Sequence, residues 1–308
     1  MRAAYIEEIG GPDKLIVGDL PTPGVGSGQM LVRTNAAGVG PWDWKMMGGT
    51  FGTPSLPFIP GLEVAGVIEQ AGPDLGFQAG DEVIASTGFT AGGFAQYVAV
   101  DPGAAALKPG GLSFEEAVAL VVGGATAYEG LADRINLQPG ETVLITAASG
   151  GVGTMAVQIA AALGARVLGV ASARNLDYVR RLGASDAFDY AEPGWSEEVL
   201  AVVPGGVDAL FDAAGGATAQ EALRGVRAGG RGAFIGYPPP EIDPATGITA
   251  DFFSASVNRQ RLEAITALVA GGQLRVELAQ VFPLEEARAA LEAVQGGHTR
   301  GKVALSID

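Results

Sequence analysis

The 308-residue sequence predicts an α/β chain: an all-β module followed by a doubly wound domain built on a parallel sheet. Three observations carry this expectation. Short β-rich runs punctuated by Pro and Gly extend to about residue 109, strands and helices alternate from Glu141 onward, and the glycine-rich turn 147–153 opens that alternation.

In the first module, residues 30–33, 63–68 and 94–100 read as strands. Ser113-Phe114-Glu115-Glu116 then has the spacing of a capping box, in which a hydroxyl and a carboxylate satisfy free amides at the start of a helix carrying 117–122. Beyond Glu141, strands over 142–146, 166–171, 187–190, 207–212 and 231–235 alternate with helices over 154–163, up to Leu182-Gly183, over 196–202 and over 218–226. Repeated units of this length imply parallel strands joined by right-handed crossovers. A Pro-rich loop, 238–249, precedes helices at about 258–269 and 284–294 and a last strand at 302–307, which is expected to rejoin the first module. The domains expected are therefore 1–120, 121–252 and a returning segment, 253–308.

Composition narrows the function. A chain this long, 48% hydrophobic, has material for two cores. A formal charge of -15 leaves no basic stripe for phosphate backbones, so no nucleic-acid partner is expected. With no cysteine and the single histidine His298, thiolate chemistry and disulfides are excluded, and a zinc site would have to rely on carboxylates. His298 falls in the turn Gly296-Gly297-His298-Thr299-Arg300 and reads as a surface-loop residue rather than a catalytic one. The N-terminus lacks an apolar signal core and the most apolar stretch, 117–128, is too short to span a bilayer, so a cytoplasmic protein off the membrane is expected.

Strand 142–146 runs into Ala147-Ala148-Ser149-Gly150-Gly151-Val152-Gly153 and directly into a helix, the order needed to seat a dinucleotide pyrophosphate on a helix N-terminus. Gly150 lets backbone approach the phosphates and Gly153 lets the helix pack on the strand, although Ala148 stands at the fingerprint's first glycine; a tight turn without ligand is the alternative. About twenty positions on, the residue reading the adenosine ribose is expected. There the sequence has Ser172 and Arg174 in place of an acid, which suits the 2'-phosphate of NADPH rather than NADH; a merely solvated arginine is the other reading. Trp42, Trp44, Met46, Met47, Phe51 and Phe58 make either an apolar wall for a flat substrate or core.

Specific strings sharpen the picture: Pro57-Phe58-Ile59-Pro60-Gly61-Leu62-Glu63-Val64-Ala65-Gly66-Val67-Ile68, Gly80-Asp81-Glu82-Val83, Gly124-Ala125-Thr126-Ala127-Tyr128, the turn 147–153, Leu182-Gly183-Ala184 with Asp189-Tyr190, and Gly301-Lys302-Val303. Together they resemble the medium-chain dehydrogenase/reductase superfamily over nearly the whole chain. Gly40 and Leu62 stand where its zinc alcohol dehydrogenases have Cys and His ligands, so the chain resembles the zinc-independent, quinone oxidoreductase (zeta-crystallin-like) branch.

That resemblance implies a GroES-like catalytic domain, a Rossmann domain and a homodimer. It implies NADPH-dependent, metal-free hydride transfer to a small molecule, a quinone or an α,β-unsaturated carbonyl. It places Thr126 near the nicotinamide, Ser149, Gly150, Gly151, Val152 and Gly153 at the pyrophosphate, and Ser172, Arg174 and Tyr190 at the 2'-phosphate, with Gly236 and Arg300 as further contacts. Tyr190 also reads as a core-edge aromatic. Candidate donors to the developing oxyanion are Lys45 and Tyr128, and Gly40, Trp42, Trp44 and Phe51 are the candidate substrate pocket. Many relatives have Asn at the place of Gly40, and enoyl-thioester reductases have Tyr near Phe51; neither replacement brings a polar side chain. A non-catalytic NADPH-binding sensor or structural protein is the rival reading, and metal-dependent alcohol oxidation a third.

Overall fold

The computed structural model describes residues 1–88, 92–297 and 299–308, so His298 lies outside the described residues. In chain order the strands are β1 (Arg2–Tyr5), β2 (Ile16–Asp19), β3 (Met30–Val39), β4 (Glu63–Ala71), β5 (Glu82–Ser86), β6 (Tyr97–Val100), β7 (Ala105–Leu107), β8 (Thr142–Ile145), β9 (Arg166–Ala171), β10 (Asp186–Asp189), β11 (Val207–Asp212), β12 (Val226–Phe234), β13 (Thr249–Phe252), β14 (Leu278–Pro283) and β15 (Lys302–Ser306). The chain divides into two compact units, one of Met1–Val122, Val257–Ala270 and Val276–Asp308, the other of Gly123–Ser256 and Gly271–Arg275.

The first unit is β-rich. Its main sheet runs β14-β15-β3-β4-β5-β7, with β6 also on β3, and β1 pairs with β2 apart from it. The hub, β3, is buried along most of its ten residues, as expected of a strand covered on both faces. One core gathers Ile6, Val39, Met47, Phe94, Leu291 and Leu305. A second gathers Met30, Val32, Val64, Ile68, Val83 and Val98. The last strand does rejoin this module, β15 pairing antiparallel with β3 from Val303↔Val39 to Ser306↔Ala36.

In the second unit all six strands are parallel, in the order β10-β9-β8-β11-β12-β13. Chain order reverses between β8 and β11, which is the topological switch point of a doubly wound sheet. Leu144, Leu168, Val170, Leu210 and Phe234 meet Trp195, Val199 and Leu223 in its core.

Two of the local departures from the sequence expectation have a clear physical cause. The capping box forms, with Ser113 N donating to Glu116 Oε2 (2.8 Å) and Glu116 N to Ser113 Oγ (3.2 Å). However, the α-helix it starts ends at Val118, and the chain passes through π-helical turns at Leu120–Gly124 and Glu129–Arg134 with the α-helical turn Ala125–Tyr128 between them. A π turn brings residues five apart into register. Buried Glu129 accordingly accepts from Arg134 Nε (2.9 Å) and Nη2 (2.6 Å). The second difference is β13 and β14, where the sequence suggested no strand. Both are edge strands with mostly exposed residues, so no buried face imprints an alternating pattern on them.

Candidate active site

The glycine turn of the second unit leaves β8 and closes on itself through Gly150 N to Ala147 O (2.9 Å) and Thr154 N to Gly150 O (2.9 Å), then enters the helix Gly153–Ala162. Ala147 carries the left-handed backbone of this turn, with φ +48°. Gly153 is excluded from having a side chain: a Cβ would overlap the Ala147 carbonyl and the Ala148 Cα. The free amides of a helix N-terminus thus follow a turn of half-exposed residues, Ser149 to Val152, which fits the pyrophosphate of a dinucleotide.

Asn175, which sequence reasoning passed over, ties this turn to the end of β9. Its Nδ2 donates to Ser149 Oγ (3.1 Å) and to Ser172 Oγ (3.2 Å). Arg174, between Ser172 and Asn175 in the turn that follows β9, is exposed. Tyr190, just past β10, donates its backbone N–H to Ala171 O (3.3 Å) and leaves its side chain 46% exposed. Ser149, Ser172, Arg174 and Tyr190 are therefore gathered at the C-terminal ends of neighbouring parallel strands. Thr126 is buried on the turn between the two π-helical segments. Gly236 follows β12, where a Cβ would overlap the Gly215 amide. Arg300, exposed, belongs to the first unit, whereas the other proposed cofactor contacts lie in the second.

In the first unit, Gly40 caps the helix Pro41–Met47, and a Cβ on it would overlap the indole ring of Trp42. The ring occupies the space that a polar side chain at position 40 would need. Gly40→Ala is expected to destabilise the protein by about 1–3 kcal/mol. Adding Trp42→Ala removes the overlap, so urea denaturation of the double variant should show a smaller loss than the two single losses summed; simple additivity would refute the clash.

Below this ring lies a buried polar cluster. Asp43 accepts from Gly40 N (2.8 Å) and Gly61 N (2.9 Å), tying together the two loops that carry Gly40 and Leu62. Glu63 pairs with Lys302 and accepts from Val122 N (2.8 Å). The Lys302 ammonium stands 4.6 Å from the Trp42 ring centroid. Burial pushes the Asp43 carboxyl up to about 7, with the Gly40 amide and Lys302 opposing the rise and Glu63 adding to it. Its ordinary value is about 4. Between these two pH values the folded chain holds a proton that the unfolded chain releases, so this group's contribution to stability falls as pH rises from about 4 to about 7 and is level above. Asp43→Asn should flatten that slope in denaturation curves taken across the window, while lowering stability at low pH by about 1 kcal/mol because the amide can accept from only one of the Gly40 and Gly61 N–H groups. An unchanged slope would refute the assignment.

The remaining candidates are dispersed. Lys45 is half-buried, its Nζ 5.6 Å from the Trp44 ring centroid. Trp44 and Phe58 pack on the first unit's core, Met47 is part of it, and Phe51 is 58% exposed. Tyr128 is half-buried in the second unit. Among the described residues no group of three or more His, Cys, Asp or Glu side chains is placed to hold a metal, and no helix is long and apolar enough to cross a membrane.

The sequence matches the family pattern "Alcohol dehydrogenase GroES-like domain" over residues 26–110 and "Zinc-binding dehydrogenase" over residues 151–275. It is 33% identical to a quinone oxidoreductase of Lama guanicoe over 99% of this chain and 97% of that protein. Among solved structures, it is similar to one described as an NAD-dependent alcohol dehydrogenase (TM-score 0.94, 29% identity, 100% of both chains). It is also similar to a mycobacterial protein in complex with NADPH (TM-score 0.87, 28% identity, 99% of both chains).

Proposed function

This chain belongs to the medium-chain dehydrogenase/reductase family of oxidoreductases, whose Rossmann domain binds a nicotinamide cofactor, and from that premise we propose that it is an NADPH-dependent reductase of quinones or α,β-unsaturated carbonyls that works without metal. The observation that carries the reading is the end of β9, where Ser172 and exposed Arg174 stand in place of an acid. An acid there would bond the ribose 2'-hydroxyl of NADH and repel a 2'-phosphate; a guanidinium favours the phosphate. One solved relative is described as NAD-dependent and another as an NADPH complex, so the choice rests on these two residues.

Bound nicotinamide supplies the hydride. The protein's part is to hold the pyrophosphate on residues 149–153, to seat the 2'-phosphate among Ser172, Arg174 and Tyr190, and to keep Thr126 and Gly236 against the nicotinamide end, with Arg300 as a further contact. Lys45 and Tyr128 are the proposed donors to the oxyanion that develops on the acceptor, and Gly40, Trp42, Trp44 and Phe51 the proposed pocket for a flat ring. With Phe51 lacking a hydroxyl, water supplies the proton.

The test is loss of NADPH absorbance with a panel of quinones and enals, in the presence and absence of chelator. Turnover insensitive to chelator is expected. Tight NADPH binding with no turnover would instead favour a non-catalytic NADPH-binding protein, a reading that the missing side chain at Gly40 supports. The homodimer is proposed to form along β13, an edge strand with exposed Phe252 and with Tyr237 beside it, ring centroids 6.3 Å apart. Sedimentation should give a dimer for the wild type and a monomer for Phe252→Lys; a monomeric wild type would refute this.

A further inference from the structure

At the switch point of the parallel sheet, two buried polar side chains hold a loop that none of the roles above uses. Thr146 follows β8, Asp212 ends β11, and neither is exposed to solvent. Thr146 Oγ1 donates to Asp212 Oδ1 (2.5 Å) and accepts from the amides of Ala213 (3.0 Å) and Ala214 (3.3 Å). Asp212 also accepts from Ala214 N on Oδ1 (3.3 Å) and from Gly215 N on Oδ2 (2.9 Å). One hydroxyl and one carboxylate thereby use enough lone pairs to hold three successive amides. Gly215 sits at φ 73°, ψ -177°, a backbone region essentially restricted to glycine. Gly216 N donates to Pro238 O (2.7 Å), and Gly236 is pressed against the Gly215 amide. The loops after β11 and β12 are thus locked backbone to backbone, and the lock runs through Thr146 and Asp212.

A doubly wound sheet binds one mononucleotide on each half, in the crevice outside the carboxyl ends of its strands. Strands β9 and β10 lead directly into Ser172, Arg174 and Tyr190, the adenosine side of the cofactor reading, and β11 begins the other half. We infer that Thr146 and Asp212 are positioning residues for the nicotinamide half of the cofactor, acting by holding the 213–216 loop as a rigid wall of that crevice. This rests on the cofactor reading above. Burial raises the Asp212 carboxyl above its ordinary range, a cost that its hydroxyl and amide bonds offset in part.

Thr146→Val removes the hydroxyl while keeping the shape. It should lower kcat by about 10- to 100-fold, as a small misplacement of reacting groups does, while 2',5'-ADP, which probes only the adenosine half, binds within about twofold of wild type. Thr146→Ser should recover most of the loss, and Thr146→Val with Asp212→Asn should be no worse than the more severe single variant, because the two act as one unit. Unchanged kcat in Thr146→Val, or 2',5'-ADP weakened as much as NADPH, overturns the inference. Hydrogen exchange on the wild-type protein gives a measurement free of variants: NADPH should protect the amides of 213–216 and 2',5'-ADP should not. Equal protection by the two overturns the role of the pair alone. Wild-type protein that binds neither probe overturns the cofactor reading and the pair's role with it.

Discussion

Arg174→Ala is expected to weaken NADPH binding by about 10- to 100-fold and to leave NADH within about twofold, the loss that follows when a charge-assisted contact to a phosphate disappears. The side chain is exposed at the end of β9, beside Ser172 and one strand away from Tyr190. Because the contact is made in water, raising salt should narrow the preference of the wild type for NADPH, and the variant should show little salt dependence. Fluorescence titration of both cofactors at two ionic strengths measures this. Equal losses for NADPH and NADH would refute the 2'-phosphate assignment. Ser172→Ala should show the same selectivity with a smaller loss, since a neutral hydroxyl makes a weaker bond.

Gly153→Ala is expected to cost about 1–3 kcal/mol of stability, because the new methyl overlaps backbone rather than a side chain that can turn aside. The helix it opens buries eight of its ten residues, so it cannot tilt off β8 without disturbing the core. NADPH affinity should fall in parallel. Gly150→Ala provides the contrast: its Cβ would lie 3.3 Å from the Ala147 carbonyl, a tight contact that a small shift relieves. Its stability should stay within about 0.5 kcal/mol of wild type, while NADPH binding weakens because the methyl stands between backbone and phosphate. Thermal melts with cofactor titrations separate the two glycines, and similar stability losses would show that they do not play these different parts.

Much of the second unit was legible from the sequence because its signals are local. Strands over 166–171 and 207–212 stand at the residues where their apolar runs predict them, and the turn at 147–153 sits where its glycines require. Ser113 and Glu116 cap a helix as their spacing implies, yet that local signal does not predict the π turns that follow, one of which brings Glu129 onto Arg134. Trp42 was legible as an aromatic near a loop, but not as the group whose ring fills the space beside Gly40.

By itself the sequence determined the two-part organisation, the absence of thiol ligands, and the hydroxyl of Ser172 and guanidinium of Arg174 in place of an acid at the end of β9. All of these are set by composition or by residues within one turn or one βα unit. Only the tertiary structure decided which distant polar groups meet: Asp43 with Gly61, Glu63 with Lys302, Thr146 with Asp212, and Asn175 with Ser149. Likewise it decided that 249–252 and 278–283 are strands, since an exposed edge takes its structure from the partner it pairs with and leaves little periodicity in its own residues. Buried polar groups find partners wherever the fold brings an unsatisfied donor or acceptor close, and sequence distance places no limit on that search.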